Sequence, residues 1–384
     1  MSKTKISMKS RRELWFRAAG RCEFKGCNEP LDRHGVTMDT CDCSECAHII
    51  ADSPEGPRGD AELSNKLAQD IDNIMLMCPK CHKYIDTEGA EKYDAQTLRA
   101  MKKHHEDRMR MLTGIPEDNQ ALPVTFGSPI GDSTPIFNFN QLSAAMVPDF
   151  YPSKEKSEDL GGDWYHGDNW DKFWAHEADE IEYKGHRLLR DLSHEEHKRI
   201  ALFGFAPMPS LIKLGTVLNN KHEVEVYQKQ RRGGWVWPEK DKHIDFHFEK
   251  VQAGSDGVVL VLSLSFPILS RILEERHKAN IWHLTIDEPN PDFLSAKTML
   301  YDFGRKVEYA LDTISKNCPG SPIDLYLAVP VACAIEFGRV WMQKANSPLR
   351  IFDYDKREGN TDRLAITINN YYCPLNHKAM SPTF

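Results

Sequence analysis

The sequence lacks the features of a membrane protein, of a secreted protein and of a protein that coats nucleic acid nonspecifically. No apolar stretch follows the basic residues near its start, so no secretory signal is predicted. The longest apolar run, Val258 to Leu269, contains two serines and a proline and is too short to span a bilayer. The formal net charge of −8 argues against nonspecific coating of nucleic acid. We therefore expect a cytoplasmic protein with no membrane partner.

Basic residues are concentrated at the start of the chain. The first 25 residues carry eight Lys and Arg against two acidic residues. A local basic surface can hold phosphates even when the total charge is negative. A solvated N-terminal arm would have the same composition, so this feature alone leaves both interpretations open.

Cysteines are plentiful and unevenly placed: seven of the ten fall within the first 81 residues. Without an export signal, clustered cysteines predict metal ligands rather than disulfides. The pairs Cys22/Cys27 and Cys78/Cys81 have the short spacings that a tetrahedral zinc site with four thiolates requires. We predict a structural Zn²⁺ that ties the N-terminal helix to the turn at 78–81.

Three further cysteines, Cys41, Cys43 and Cys46, lie between those pairs. With a fourth ligand such as His34 they would form a second zinc site. They are equally explained as a local insertion that binds no metal. The pattern leaves both open and slightly favours no metal.

Two histidines and an asparagine stand beside the cysteines in a fixed order. His48 follows the cysteine-rich segment, Asn73 comes next, and His82 directly follows the second cysteine pair. This order, fused to a CxxC, resembles the HNH nucleases. The resemblance implies an α+β N-terminal module of the ββα-metal fold, stapled by zinc, that hydrolyses DNA.

The resemblance implies a role for each of these residues. Hydrolysis of a phosphodiester with one metal needs a base to activate water and a hard cation to neutralise the leaving oxyanion. His48 would be the base, and His82 would bind Mg²⁺ or a similar divalent cation. Asn73 would either orient His48 or complete the cation shell.

Two positions qualify this assignment. Ala47 stands where an Asp or Glu usually supplies a second cation ligand, so Asn73 or Asp72 would have to fill the gap. Arg58, in a Gly-Pro-Arg-Gly turn, is placed to hold a substrate phosphate. An ordinary surface arginine explains Arg58 equally well.

Composition divides the chain into three regions. Residues 1–115 hold the cysteines and end in a helix, and residues 116–160 are rich in Pro, Ser, Asn and Asp, which predicts a linker. Residues 161–384 form the C-terminal domain, with repeat halves at about 200–290 and 320–370.

The repeat consists of a strand, a helix and a second strand. The first copy spans 200–207, 208–220 and 223–230, and the second spans 324–331, 332–344 and 349–356. Each helix carries a glycine near its middle, Gly215 or Gly338. Such units build parallel sheets, so we predict two related α/β subdomains.

The segments ALFGFAP, YQKQRRGGWVWP, LYLAVPV, FGRVW and FDYDK look like a SAVED domain, which consists of two fused CARF-like, Rossmann-type subdomains. Together with the N-terminal module, the chain resembles the HNH–SAVED effectors of bacterial CBASS antiphage defence. The resemblance implies activation by a cyclic dinucleotide such as a cyclic GMP–AMP isomer. It also implies a homo-oligomer, a dimer that rearranges to a tetramer or larger, and nonspecific degradation of double-stranded DNA.

Ligands of parallel α/β sheets bind at the carboxyl ends of the strands, near helix N-termini. Cations there suit phosphates and indoles suit bases, although core packing also explains the tryptophans. The predicted ligand contacts are Pro207, Lys213, Tyr227, Lys229, Arg231, Arg232, Trp235, Trp237, Pro330, Phe337, Tyr354 and Arg357.

Two other functions remain open on the sequence. A modification-dependent restriction endonuclease would read DNA bases with its C-terminal half, which lacks the expected basic character. A catalytically silent, nucleotide-responsive DNA-binding regulator would explain Ala47 but not the three residues of the HNH pattern.

Overall fold

A computed structural model describes residues 4–128, 136–161, 169–195, 198–232, 234–355 and 361–369. The chain forms two compact units, Met1–Pro116 and Glu117–Phe384. Among the described residues, no helix is both long enough and apolar enough to cross a membrane.

The first unit is built on two antiparallel strands followed by a helix. Its elements are α1 (Met8–Ala18), β1 (Glu45–His48), α2 (Leu63–Leu67), a 3₁₀ turn (Ile71–Asn73), β2 (Ile74–Met77), α3 (Pro79–Asp86) and α4 (Ala95–Thr113). His48, at the end of β1, pairs with Ile74, at the start of β2. Pro79 occupies the first position of α3, where a proline fits because that N–H has no partner in the helix.

The core of this unit is small. All four side chains of β2 are fully buried, and Leu14 of α1 and Leu98 of α4 belong to the same apolar cluster. A unit of this size buries little apolar surface, so a metal ion bound between distant segments would add substantially to its stability.

The second unit contains two sheets, of which the first is parallel. Its elements are β3 (Gln120–Gly127), α5 (Phe139–Met146), β4 (Tyr151–Pro152), β5 (Glu158–Asp159), α6 (Trp170–Leu192), β6 (Ile200–Phe205), α7 (Met208–Leu218) and β7 (Val224–Tyr227). The strand order is β4-β3-β6-β7, and β5 pairs with β3 farther along that strand.

The second sheet is mixed. Its elements are β8 (His247–Gln252), β9 (Val258–Ser263), α8 (Leu269–Glu275), β10 (Asn280–Thr285), α9 (Lys297–Asn317), β11 (Ile323–Ala328), α10 (Val331–Val340), β12 (Leu349–Asp355) and β13 (Thr361–Ile368). The order is β13-β12-β11-β9-β10-β8, with antiparallel strands at both edges.

The predicted linker at 116–160 is wrong. It supplies β3, which pairs with β6 over six residues and buries Val124 and Phe126 in the core. Proline inside a strand normally argues against a strand, but Pro123 falls between the residues that pair with β4 and those that pair with β5. No ladder hydrogen bond is lost there, so the strand tolerates the proline.

The predicted halves of the repeat are also wrong in extent. The strands at 247–285, assigned to the first half, belong to the second sheet with β11 and β12. The two strand–helix–strand units themselves are present as predicted. Parallel pairing joins strands that are distant in sequence, so the order of elements did not reveal which sheet each strand joins.

The helices of the two repeats cross at their glycines. A Cβ atom on Gly215 would lie 2.2 Å from Ile335 O, and one on Gly338 would lie 2.1 Å from Ile212 O. Only glycine permits this approach of two backbones. The crossing joins the two sheets through one continuous apolar core.

Candidate functional site

Four cysteine sulfurs converge in the first unit. The Sγ atoms of Cys22, Cys27, Cys78 and Cys81 all lie within 4.8 Å of one another, and those of Cys27 and Cys78 are 3.9 Å apart. Zinc bound to thiolates at about 2.3 Å would hold its sulfur ligands roughly 3.8 Å apart. The predicted set of four cysteines therefore forms a group that can hold a metal ion of this size.

Without a metal, the surroundings of these sulfurs favour neutral thiols. Burial raises the pKa of Cys22 to about 12, and burial together with the neighbouring thiols raises the pKa of Cys81. A bound divalent cation stabilises thiolates and reverses this tendency. Gly20, with φ of 63°, turns the chain after α1 so that Cys22 can reach the group.

The other three cysteines do not form a second group. Within the part of the chain that the structure describes, no other cluster of three or more His, Cys, Asp or Glu side chains is close enough to hold a metal ion. Both explanations for Cys41, Cys43 and Cys46 stay predictions.

His48 lies buried at the end of β1, with one ring nitrogen engaged. Its Nε2 is 2.9 Å from Ala68 O. A carbonyl oxygen only accepts hydrogen bonds, so Nε2 carries the proton of the neutral ring and Nδ1 keeps its lone pair. The ring is thus held in the tautomer that leaves Nδ1 able to accept a proton from water.

Asn73 fixes the backbone just beyond His48. Its Oδ1 accepts from Ile50 N at 3.0 Å, and its Nδ2 donates to Ile50 O at 2.9 Å. The side chain is almost fully buried. These contacts engage Asn73 with the backbone two residues beyond His48. Its two predicted roles, orienting His48 and completing the cation shell, stay predictions.

His82 lies between two carboxylates that the sequence did not single out. Its Nδ1 is 2.7 Å from Glu45 Oε2, and its Nε2 is 3.3 Å from Asp86 Oδ2. Asp86 and, to a smaller extent, Glu45 raise the pKa of His82 against the effect of burial. Asp86 was detectable, since it follows His82 by one helical turn. Glu45 reaches His82 only through the pairing of β1 with β2.

The acidic side chains nearest His82 are Glu45 and Asp86, and position 47 offers none. Ala47 is fully buried opposite Met75, and Asp72 forms an ion pair with Arg17 at 2.8 Å. His82 Nε2 and Asp86 instead offer a divalent cation one nitrogen and one carboxylate, while Glu45 holds the other ring nitrogen. Carboxylates commonly orient metal-binding histidines in this way.

The expectation that Arg58 holds a substrate phosphate is wrong. Its side chain is only 7% exposed and donates to Ile49 O at 2.7 Å, Ile85 O at 2.6 Å and Asp86 Oδ1 at 2.8 Å. A further contact of 3.4 Å reaches His48 O. Arg58 therefore joins the strand that carries His48 to the helix that carries His82, and little of its guanidinium faces solvent.

In the second unit, two helix N-termini lie at carboxyl ends of parallel strands. Pro207 precedes α7 after β6, and Pro330 precedes α10 after β11. Gln228, just beyond β7, accepts from Ala332 N in the first turn of α10 at 3.1 Å. The end of the first repeat thus contacts the helix N-terminus of the second.

Four of the predicted ligand contacts are structural instead. Tyr227 and Trp235 are each 2% exposed, and Phe337 is fully buried. Tyr227 stacks on Phe203 with ring centroids 4.5 Å apart, and Lys213 pairs with Glu182 at 2.7 Å. Tyr227 lies on strand β7, and Lys213 and Phe337 lie on helices α7 and α10. The sequence shows these residue types but not the direction in which each side chain points.

The remaining predicted contacts are more accessible. Lys229 lies 5.3 Å from the centre of the Trp235 ring, Arg231 is 63% exposed beside Asp292, and Arg232 is exposed. Trp237 is half-buried, and Tyr354 is 40% exposed under Arg271. Arg357 lies outside the described residues. Of the predicted ligand contacts, the basic side chains of Lys229, Arg231 and Arg232 therefore remain candidates for binding a phosphate.

Comparison with known proteins identifies this region. Residues 182–364 match the family model described as "SMODS-associated and fused to various effectors sensor domain", or SAVED. The Acinetobacter baumannii Cap4 SAVED/CARF-domain containing receptor, solved with the cyclic trinucleotide 2′3′3′-cAAA, is 12% identical with a TM-score of 0.44. That alignment covers 81% of this chain and 67% of the receptor. The Moraxella osloensis Cap4 SAVED/CARF-domain containing receptor is 9% identical with a TM-score of 0.41. That alignment covers 81% of this chain and 66% of the receptor. No curated protein matches the chain.

The assignment rests on the family match and not on these two distant structures. The matched segment extends from within α6 to within β13 and includes both repeats. It confirms the resemblance that the C-terminal sequence motifs predicted. The chain therefore carries a SAVED sensor domain.

Proposed function

We propose that this protein is an effector DNA endonuclease in which the SAVED domain, on binding a cyclic nucleotide, activates an HNH nuclease module. The observation that carries the nuclease part is His48, held at the end of β1 with Nδ1 left to accept a proton. His82 on the following helix is linked to the same strand through Asp86 and Arg58.

His48 would act as the general base. Its Nδ1 would take a proton from the water that attacks the scissile phosphorus, and the bond from phosphorus to the leaving oxygen would then break. The hydrogen bond from Nε2 to Ala68 O holds the ring and stabilises the positive charge that develops on it. Asn73 keeps the strand end in place through Ile50.

His82 and Asp86 would hold a divalent cation such as Mg²⁺, which supplies positive charge beside the leaving oxyanion. Glu45 accepts from Nδ1 of His82 and so directs Nε2 toward that site. Structural Zn²⁺ on Cys22, Cys27, Cys78 and Cys81 would fix the strands and helix that carry these groups.

The activating ligand would be a cyclic dinucleotide, such as a cyclic GMP–AMP isomer, bound at the carboxyl edges of the two sheets. A switch from 1% to 99% active requires about 10⁴-fold tighter ligand binding by the active state. Reassembly of a homo-oligomer can supply two such states. Degradation of double-stranded DNA on activation would serve antiphage defence.

The test incubates the purified full-length protein and plasmid DNA with Mg²⁺ and a panel of cyclic di- and trinucleotides. We expect fragments with one nucleotide and none without it. His48→Ala should slow cleavage by about 10²- to 10⁴-fold and leave binding of that nucleotide unchanged. The exposed His104, on α4, provides the control, and His104→Ala should cleave like the wild type.

Other outcomes would point elsewhere. Cleavage that needs no nucleotide would support a modification-dependent restriction enzyme. DNA binding that responds to a nucleotide without cleavage would support a silent regulator. Loss of both nucleotide binding and cleavage in His48→Ala would contradict the separate roles proposed for the two units.

A further inference from the structure

The basic residues near the start of the chain divide into two groups in the structure. One group forms contacts within the first unit, each member donating to an acidic side chain or to a backbone carbonyl: Arg11, Arg17 and Arg21. The second group, Lys5, Lys9 and Arg12, is exposed. Among the described residues, no hydrogen bond or ion pair engages these three side chains. Their positive charges are therefore available to a partner.

Lys9 and Arg12 lie side by side on the outer face of α1. They are three residues apart, a spacing that brings two side chains to the same face of a helix. Met8, one turn before Arg12, is 66% exposed, and Phe16, one turn after it, is 87% exposed. Leu14, on the inner face, is fully buried. The outer face of α1 thus presents two positive charges flanked by two apolar side chains.

Hydrogen bonds join this surface to the segments that carry the candidate site. Lys5 O accepts from Gln69 Nε2 at 3.1 Å, and the residue before Gln69 supplies the carbonyl that holds the ring of His48. Arg11 of α1 donates to Ser44 O at 3.0 Å, directly before β1 begins. The three free cations therefore belong to the same compact unit as the candidate site.

The chemistry of this surface fits duplex DNA. A duplex carries one negative charge per about 1.7 Å of its axis, and proteins bind it chiefly through Lys and Arg side chains that displace condensed counterions. Apolar side chains beside such cations are typical of proteins that enter the minor groove. Arg58, close to His48 in the fold, is buried and does not supply a phosphate contact.

We propose that Lys5, Lys9 and Arg12 bind phosphates of a DNA duplex on either side of the phosphodiester that is cut. This rests on the proposed function and adds to it the surface by which the first unit holds its substrate.

Binding of a duplex of about 30 base pairs to the full-length protein, measured by fluorescence anisotropy at several KCl concentrations, tests this inference. Every sample carries His48→Ala, so that the duplex stays intact, and each titration is run with and without the cyclic nucleotides. Each phosphate contact contributes about 0.9 to the slope of log affinity against log salt concentration. Lys9→Ala with Arg12→Ala should lower that slope by about 2 and weaken binding about 10- to 60-fold at about 0.1 M KCl. Adding Lys5→Ala should lower the slope by about one more.

Lys172→Ala with Lys344→Ala provides the matched control. Both lysines are exposed in the second unit, and the pair removes the same two charges. The control should keep the slope and the affinity of the parent protein. All of these substitutions are at exposed positions, so each variant should fold with a stability within about 0.5 kcal/mol of the parent.

Cleavage by protein that retains His48 gives a second measurement. The Lys9 and Arg12 double variant should raise KM for plasmid DNA about 10-fold or more and leave kcat within about 2-fold, because these side chains hold the substrate away from the reacting atoms. A fall in kcat with an unchanged KM would contradict this role.

The other outcomes separate this inference from the proposed function. An unchanged salt slope in the double variant would overturn the inference and leave the nuclease intact. Equal losses in the control would show that net charge, and not this surface, governs binding. Lost binding to vesicles of phosphatidylserine and phosphatidylcholine, with unchanged binding to DNA, would assign the surface to a membrane instead. A lower slope in a protein that cleaves no DNA with any nucleotide would support the surface and overturn the proposed function.

Discussion

Replacing Gly338 with alanine tests the crossing of α7 and α10, which joins the two sheets of the second unit. The added Cβ would lie 2.1 Å from Ile212 O, 2.9 Å from Ile212 C and 3.0 Å from Gly215 Cα. All three are backbone atoms of a buried helix, so none can rotate away. The helices would have to separate by about 1 Å in a core packed as densely as an organic crystal.

The expected cost follows from two opposing terms. Overpacking a dense core costs about 1–3 kcal/mol, and contact with backbone atoms places this variant near the upper limit. Alanine in place of glycine returns about 1 kcal/mol of helix propensity. The net loss in the free energy of unfolding should be about 2 kcal/mol.

Gly304 in α9 provides the matched control. A Cβ there would approach Glu336 Oε1 at 3.2 Å and Cγ at 3.4 Å, atoms of a side chain that can move. Gly304→Ala should therefore be neutral or stabilising, by up to about 1 kcal/mol. The two variants make the same chemical change in a helix, and only Gly338→Ala is expected to lower the free energy of unfolding.

Urea unfolding followed by tryptophan fluorescence measures this effect, since seven of the eight tryptophans lie in the second unit. We expect a lower midpoint for Gly338→Ala and an unchanged or higher one for Gly304→Ala. A midpoint for Gly338→Ala equal to that of the wild type would refute the glycine crossing. Equal losses in both variants would refute the distinction between backbone and side-chain neighbours.

Two further predictions concern the metal group and pH. The purified protein should contain about one zinc ion per chain by elemental analysis; Cys78→Ser should lose it and unfold the first unit, whereas Cys318→Ser should keep it. Wild-type protein free of metal would contradict this. Burial lowers the pKa of His283, so the unfolded chain binds a proton that the folded one does not, and stability should fall as pH drops through about 6.5. Urea unfolding at pH 7.5 and 5.5 should show a smaller fall for His283→Gln than for the wild type or for His277→Gln at an exposed position; equal falls in all three would count against it.

Local spacing determined the features that depend on a few consecutive residues. The pairs Cys22/Cys27 and Cys78/Cys81 each bring two thiols to one turn, and the structure joins the pairs as predicted. The two strand–helix–strand repeats were likewise visible, because hydrophobic periodicity and a mid-helix glycine are recorded along the chain. Such features need no knowledge of distant partners.

The sequence did not determine whether a given side chain faces the core or the surface. Arg58 is of a residue type that commonly binds phosphate, but it donates to three backbone carbonyls and Asp86. Tyr227 and Trp235 have aromatic rings that could stack on bases, but both lie in the core. A cation or an aromatic ring suits either place, and only packing decides which atoms it faces.

The tertiary structure alone decided which residues meet across the chain. Antiparallel pairing of β1 with β2 brings Glu45 next to His82, and parallel pairing with β6 makes β3, from the predicted linker, part of the second unit. The sequence by itself shows residue types and short spacings. Strand order and register depend on the free energy of pairing between distant segments, so they cannot be determined from any one segment.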